Sequence, residues 1–428
     1  MKVITTHKFL AIFSHRLFKN TAWLLGTEIT GKLARVLTVL ALAAFLDTVT
    51  YGVVMLTMAC HDLFRITLRC GPGSQVIQCS NTDVISFTRN GAGLQWIICG
   101  VLSVIQFLLA FPIGSFYQSY DVQFLLQCLA PVYLFYPLTS SNVFLIQRAN
   151  NMRYFSLWNG ACLTFENLVL ALCLWLDFGI YAVLATKYLG VLLWTFGFYI
   201  APVKSFGTAF ELAVFKRLFR TSSTLFFTEF SKSLKGHADL FIAGKLLLPE
   251  VFGLYAFAKS VSIGLSQSLI NAFSNALFPH VCALNRDRQQ QSAIRQIILL
   301  TSIMGVLLLS QAAVAPFYVP ILFGERWIDS VAIVQMLCLA SVGTLIFDIR
   351  CLFLRSSGAF TSELKEQLVF SIITLAAIMI LMPDSALNMS YAVLVGTCIS
   401  VTLYLIQTVL RRYHVASVLT VSSLEKLK

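Results

Sequence analysis

The stretch Leu94–Tyr117 reads LQWIICGVLSVIQFLLAFPIGSFY and contains no charged residue in 24 positions. As an α-helix it would be about 36 Å long, whereas the hydrocarbon core of a bilayer is about 30 Å thick. A helix on the surface of a soluble protein carries charged residues along one face, and this stretch has no such face. It therefore predicts a helix that crosses a membrane.

The rest of the chain repeats this pattern. Of 428 residues, 58% are hydrophobic and 12% are charged, and the mean hydropathy is +0.80. Soluble domains carry about 25% charged residues. Eleven further runs are apolar and long enough to span a bilayer: 22–46, 49–69, 121–147, 154–176, 179–201, 218–247, 251–278, 293–318, 330–355, 366–382 and 387–410. The sequence predicts an all-α integral membrane protein of about twelve transmembrane helices.

The basic residues lie mainly on one side of the predicted membrane. If the N-terminus is cytoplasmic, the cytoplasmic segments hold 21 of the 31 Lys and Arg residues, and the opposite loops hold only Lys245 and Arg326. An excess of Lys and Arg marks the cytoplasmic side. We therefore expect both termini in the cytoplasm. The net charge of +12 then reflects membrane orientation, and no nucleic-acid partner is expected.

The two halves of the chain resemble each other at a fixed offset. A shift of 201 positions aligns Thr27-Glu28 with Thr228-Glu229, and the register holds through the following turn into the next helix. We expect two pseudo-symmetric six-helix bundles, residues 1–203 and 204–428. Because six helices separate the copies, the axis that relates them lies along the membrane normal. Duplicated halves around a midplane cavity are typical of transporters.

Charged residues recur at matching places in the two halves. In the first predicted helix, Glu28, Lys32 and Arg35 share one helical stripe. The seventh helix and the eighth carry the corresponding set: Glu229, Lys232, Lys235, Asp239 and Lys259. A charge at mid-bilayer costs about 2.5–3.5 kcal/mol on insertion scales. The pattern favours a cationic central cavity for a polyanionic substrate, with the acids in ion coupling or charge pairing.

Internal ion pairing is the competing interpretation of these charges. It would join neighbours on one helix: Glu28 with Lys32, Glu229 with Lys232, Asp62 with Arg65, and Asp348 with Arg350. Arg65, Lys187 and Arg350 are each expected to snorkel from near a helix end. Glu166 is an isolated acid in an apolar run. Both a coupling-ion site and a protonated packing residue fit it.

Motifs for nucleotides, metals and catalysis are missing from the sequence. Gly26-x-x-x-x-Gly31-Lys32 matches most of a phosphate-binding P-loop, but Leu33 follows where Ser or Thr is required, and no strand precedes it. There is no nucleophile-elbow motif and no Cys/His cluster with metal-ligand spacing. We expect a protein that is not an enzyme and needs no cofactor.

One outside loop is longer than the others. Pro316–Ser330 contains Phe323-Gly324-Glu325-Arg326-Trp327, a charged and aromatic stretch suited to the lipid–water interface. We expect its aromatic residues to anchor the loop.

Four stretches of the chain resemble those of a known family: His237-Ala-Asp239-Leu-Phe-Ile-Ala-Gly244-Lys245-Leu, Pro249-Glu250-Val-Phe-Gly253-Leu-Tyr255-Ala-Phe-Ala-Lys259, Gly71-Pro-Gly-Ser-Gln75-Val-Ile-Gln78 and Leu322-Phe-Gly-Glu-Arg-Trp327. They resemble the bacterial polysaccharide flippases, the O-antigen and exopolysaccharide exporters of the MATE-like multidrug/oligosaccharidyl-lipid/polysaccharide exporter superfamily. The resemblance runs over most of the chain. These motifs are hydrophobic ones, and they specify the family better than the substrate.

The resemblance implies a bacterial inner-membrane protein that moves undecaprenyl-diphosphate-linked oligosaccharide to the outer leaflet by alternating access. Membrane lipids, a polysaccharide polymerase and chain-length proteins would be its partners. Gly236 replaces the Arg or Lys that often follows the Lys235 position, which moves the expected diphosphate contacts toward Lys32 and Arg35. A drug exporter and a peptidoglycan-precursor exporter are alternatives. A glycan polymerase fits less well, because such enzymes usually need a large outside loop.

Replacement of the two cations in the first helix tests the cavity hypothesis. We expect the double variant Lys32→Ala/Arg35→Ala to impair glycan export without destabilising the protein, because the cavity would lose its contacts to phosphate. Surface polysaccharide and protein level are measured in cells that carry the variant. Normal export by a well-expressed double variant would contradict the hypothesis of a cationic cavity.

Overall fold

The computed structural model describes residues 34–69, 72–149, 151–203, 206–264, single positions between 266 and 277, then 290–356, 359–381 and 384–425. In these ranges every regular element is helical. The elements in chain order are α1 (Ala34–Phe45), α2 (Thr48–Arg69), α3 (Gly73–Gln78), α4 (Val84–Tyr117), α5 (Tyr120–Leu129), a 3-10 segment (Ala130–Thr139), α6 (Ser140–Arg148), α7 (Met152–Trp175), α8 (Tyr181–Tyr199), α9 (Leu212–Leu246), α10 (Pro249–Val261), α11 (Gln290–Phe323), a short 3-10 turn (Glu325–Ser330), α12 (Val331–Ser356), α13 (Phe360–Leu381) and α14 (Ala386–Glu425).

The predicted all-α membrane fold is confirmed. Within the described ranges, eight helical stretches are long and apolar enough to cross a bilayer, and they coincide with the third to sixth and ninth to twelfth predicted runs. The other four runs coincide with α1, α2, α9 and α10. Over the described residues α1 and α10 are shorter than a full span, and α2 and α9 carry charged residues within their apolar runs. About twelve helices cross the membrane.

The chain divides into two compact units between His237 and Ala238. The helix boundaries repeat at the offset found in the sequence. The helix that ends at Phe45 and the one that begins at Thr48 correspond to helices that end at Leu246 and begin at Pro249, 201 positions later in both cases. The division into residues 1–203 and 204–428 stays a prediction.

In the first unit, helices α7 and α8 pack closely at glycines. A methyl group placed at Gly197 would lie within 2.5 Å of the Trp158 ring, so only glycine permits this contact. Trp194 and Phe198 extend the contact as an aromatic cluster around Phe155. Such ring contacts add stability beyond the area they bury. The pair α7–α8 is therefore a rigid support for the polar side chains it carries.

The fourth predicted span is not a uniform α-helix. It begins as α5, continues for ten residues as a 3-10 helix and ends as α6. Pro131 and Pro137 lie in the 3-10 segment. Proline lacks the amide hydrogen that an α-helix uses and clashes with the carbonyl four residues earlier, which explains why α-geometry stops here.

In the second unit, the loop residue Trp327 is an anchor, as expected, but it lies inside the protein and not at the lipid interface. It is fully buried and stacks on Phe257 of α10 with ring centroids 4.0 Å apart. Phe323 meets the same ring edge-on. The expectation of an interfacial aromatic residue is wrong for Trp327, because α10 offers it an apolar pocket.

Truncation of this anchor tests the packing of the second unit. We expect Trp327→Ala to lower the free energy of unfolding by about 3–5 kcal/mol, because a large buried ring is replaced by a cavity. The measurement is thermal unfolding of the detergent-solubilised protein. Ile328→Ala is the matched control, since this neighbour is 54% exposed. Equal melting temperatures for the two variants would contradict the burial of Trp327.

Candidate functional site

The first unit holds an ion pair between two helices. Lys187 of α8 donates from Nζ to Glu166 Oε2 of α7 at 2.9 Å. A methyl group at Gly190 would lie 2.4 Å from Glu166 Cγ, so the absence of a side chain there leaves room for the carboxylate. Glu166 is therefore not isolated, and Lys187 is held by a carboxylate. The expectations of an isolated Glu166 and of a snorkelling Lys187 are both wrong, because each residue finds its partner on the neighbouring helix.

Arg65 and Asp62 of α2 belong to the same polar region. Their side chains approach to 3.8 Å, which confirms the predicted pairing on one helix. Tyr136 of the 3-10 segment packs between α2 and α8, in the same hydrophobic clusters as Phe64 of α2 and Leu184 of α8. The region formed by Asp62, Arg65, Tyr136, Glu166 and Lys187 is called the charged cluster below. It offers two cations, each beside an acid.

A fully buried polar triad accompanies the charged cluster. His61 of α2, Gln106 of α4 and Tyr133 of the 3-10 segment are each at most 1% exposed. The Tyr133 hydroxyl donates to Gln106 Oε1 at 2.6 Å and lies 3.0 Å from His61 Nδ1. Gln106 Nε2 donates to the Leu126 carbonyl at 2.8 Å. His61 Nδ1 lies 3.1 Å from Gln106 Oε1 and donates to it in the tautomer that carries the proton on Nδ1.

The second unit has a comparable arrangement on α9 and α10. Lys259 Nζ lies 2.5 Å from Asp239 Oδ1, and the Tyr255 hydroxyl donates to Asp239 Oδ2 at 2.6 Å. Asp239 and Tyr255 are buried. Lys259 was expected as a cavity cation and Asp239 as a coupling or pairing group. The structure brings the two together, with the charge of Lys259 already engaged.

Two more ion pairs join α12 to α13. Arg350 donates from Nε and Nη2 to the Glu366 carboxylate at 3.1 and 3.0 Å, and Arg355 binds Glu363. The expected pairing of Arg350 with Asp348 is wrong, as is its snorkelling, because Glu366 on the neighbouring helix offers both carboxylate oxygens. Asp348 instead accepts from Gln267 at 3.3 Å.

The remaining predicted site residues are only partly described. Arg35 is exposed near the start of α1, and Glu229 is half-buried on α9. Glu28 and Lys32 lie outside the described residues, as do the side chains of Lys232 and Lys235. In the part of the chain that the structure describes, no group of three His, Cys, Asp or Glu side chains is placed to hold a metal ion.

The sequence analysis missed the polar triad and Tyr136. In the sequence these residues share one feature, a polar atom on a side chain within an apolar run: Tyr133, Tyr136, Gln106 and His61. Buried polar groups in a membrane protein must find partners inside the protein. A search for Gln and His within the apolar runs would have flagged the triad, whereas the role of two tyrosines among fourteen would have stayed hidden.

Comparison with known structures places the fold. The chain is similar to the lipid II flippase MurJ in an inward closed conformation, with a TM-score of 0.72, 12% identity and coverage of 92% of this chain and 87% of that one. It is equally similar to an inward-facing multidrug resistance MATE family transporter of the MOP superfamily, with a TM-score of 0.73, 12% identity and coverage of 90% and 96%. At these identities the similarity concerns the fold alone.

Comparison of sequences identifies the family. The teichuronic acid biosynthesis protein TuaB of Bacillus subtilis (strain 168) is 23% identical over 295 residues, which are 65% of this chain and 58% of that relative. The chain thus matches less than two thirds of TuaB. A family model described as polysaccharide biosynthesis protein matches residues 41–332. The charged cluster and the Asp239–Lys259 pair fall within this match, and the chain belongs to the family of polysaccharide biosynthesis proteins.

Proposed function

We propose that this protein flips a lipid-linked oligosaccharide, joined to its lipid by phosphate, across the bacterial inner membrane for the synthesis of a surface polysaccharide. The observation that carries the proposal is the charged cluster, a pair of cations inside a helical bundle of a polysaccharide biosynthesis protein. The fold shared with a lipid II flippase and with a multidrug transporter supports transport by alternating access. Both termini would lie in the cytoplasm.

The chemistry of such a substrate explains why cations are needed. An undecaprenyl-diphosphate-linked oligosaccharide carries about two negative charges and a sugar head that hydrocarbon excludes. Each buried charge without a partner is costly, so the path must offer cations and polar groups. Arg65 and Lys187 can each exchange a carboxylate for a phosphate oxygen, so that each cation stays paired when substrate binds. In the empty protein the acids Asp62 and Glu166 neutralise them.

The proposed substrate contacts therefore extend the set derived from the sequence. Arg65 and Lys187 join the earlier cations, which remain part of the proposal: Lys32, Arg35, Lys232, Lys235 and Lys259. The acids are assigned to ion coupling or charge pairing: Glu28, Glu166, Glu229 and Asp239. A polysaccharide polymerase and chain-length proteins are the proposed partners downstream.

Two other functions predict different products. An exporter of drugs or of a peptidoglycan precursor would leave surface polysaccharide unchanged when lost. A glycan polymerase would, when lost, leave single oligosaccharide units on the outer leaflet. The two cations of the charged cluster, Arg65 and Lys187, suit an anionic glycan lipid better than the cationic compounds that many drug exporters carry.

Deletion of the gene tests the function directly. We expect loss of surface polymer and accumulation of the lipid-linked oligosaccharide on the inner leaflet, because assembly continues while transfer stops. Extracted lipid-linked glycan and its access to a periplasmic glycosidase are the measurements. An unchanged polymer and an unchanged pool would contradict the proposal, and accumulation on the outer leaflet would indicate a polymerase.

The ion pair between α7 and α8 tests the role of the charged cluster. Lys187→Met leaves Glu166 without its partner, and we expect a loss of about 1–3 kcal/mol in stability, below the value for fully buried pairs because the side chains are 19% and 23% exposed. Flipping should also fall. The double variant Glu166→Gln/Lys187→Met should regain stability without regaining flipping, because the unpaired acid is gone while the cation is still missing.

Surface polymer in the complemented deletion strain and thermal unfolding of the purified protein report the two effects separately. Lys365→Met is the matched control, because Lys365 is exposed at the start of α13 and should change neither measurement. Full flipping by the double variant would exclude Lys187 from substrate binding.

A further inference from the structure

The polar triad of His61, Gln106 and Tyr133 is too deeply buried to touch a substrate. All three side chains are at most 1% exposed, and the Tyr133 hydroxyl, the Gln106 amide and His61 Nδ1 bond to one another and to backbone carbonyls. In a bilayer a set of apolar side chains would fill this space at lower cost. The triad therefore calls for a role other than packing.

The spacing of the residues ties the triad to the charged cluster. His61 and Arg65 are four residues apart on α2 and share one face of that helix. Tyr133 and Tyr136 are three residues apart in the 3-10 segment, where side chains at this spacing are eclipsed. The triad and the charged cluster are therefore adjacent layers, one turn apart, joined by the same two elements.

The 3-10 segment between them is unusually long. It runs for ten residues, whereas 3-10 helices longer than three or four residues are uncommon because their hydrogen bonds have poorer geometry. A return to α-geometry would change the step from Tyr133 to Tyr136 by about 60° of rotation and about 1.5 Å of rise. Tyr136 would then leave its position between α2 and α8, the helices that carry Arg65 and Lys187.

We propose that the buried triad locks residues 130–139 in the 3-10 conformation, and that this lock positions Tyr136 in the charged cluster. Tyr133 is the central residue, because its hydroxyl lies within hydrogen-bond distance of both His61 and Gln106. Gln106 adds a bond to Leu126, in the turn of α5 that precedes the segment. His61, Gln106 and Tyr133 are thus positioning residues, and their effect on flipping rests on the function proposed above.

Removal of one hydroxyl tests the lock without any substrate. Tyr133→Phe keeps the ring stacked on His61 and removes the hydroxyl that bonds to Gln106 Oε1 and lies beside His61 Nδ1. We expect amide hydrogen exchange of residues 130–139 in the nanodisc-embedded protein to become on the order of tenfold faster. Tyr188→Phe is the matched control, since its hydroxyl donates to the Cys128 carbonyl at 2.7 Å outside the triad. Unchanged exchange, or equal acceleration by both variants, would overturn the lock.

A double-mutant cycle tests the link to Tyr136. We expect Tyr133→Phe to reduce flipping several-fold, and to cause no further loss when Tyr136→Phe is already present, because both changes remove the same positioned side chain. Independent, additive losses would overturn the positioning role. Faster exchange in Tyr133→Phe, together with unchanged surface polymer and an unchanged glycan-lipid pool in the deletion strain, would support the lock and reject the proposed function instead.

Discussion

A charge inside a bilayer must have a partner, and this requirement governs the interior of the protein. Insertion costs of several kcal/mol per charge leave little tolerance for unpaired groups. Glu166–Lys187, Asp239–Lys259 and Arg350–Glu366 all join neighbouring helices, so each pair neutralises two charges and fixes one helix against another. Pairing thus lowers the cost of inserting the polar helices into the membrane and also fixes the positions of their cations.

Conflicting demands on sequence explain which helices carry the polar groups. Spanning a bilayer favours an unbroken apolar run, and a transport path requires charges within it. The third to sixth and ninth to twelfth spans are strongly apolar, and charges within them are joined between helices, as in Glu166–Lys187 and Arg350–Glu366. The helices that open the two predicted halves at the same offset carry the other charged residues of the proposed path: α1, α2, α9 and α10.

The fold was largely predictable from the sequence, but the site was predictable only in part. Apolar length and the bias of Lys and Arg are local properties, so the spans followed from them. Pairing depends on the packing of distant helices. Lys187 pairs with Glu166 on the neighbouring helix. Arg350 pairs with Glu366 on the neighbouring helix and not with Asp348, which is two residues away on its own helix. The contact between Trp327 and Phe257 likewise joins residues that are far apart in the sequence. Partners within one helix, such as Asp62 and Arg65, were foreseen.

The two units share their packing but differ in their charge. In the first, α7 and α8 cross at Gly190, and the side chain against that glycine is Glu166. In the second, α13 and α14 cross at Gly396, and the residue against it is Thr374, whose hydroxyl donates to its own helix at Phe370. A glycine permits the same close approach in both units, while a carboxylate in one is replaced by a self-satisfied hydroxyl in the other. The glycine thus serves the same packing in both units, and the carboxylate that holds a cation at this crossing belongs to the first unit.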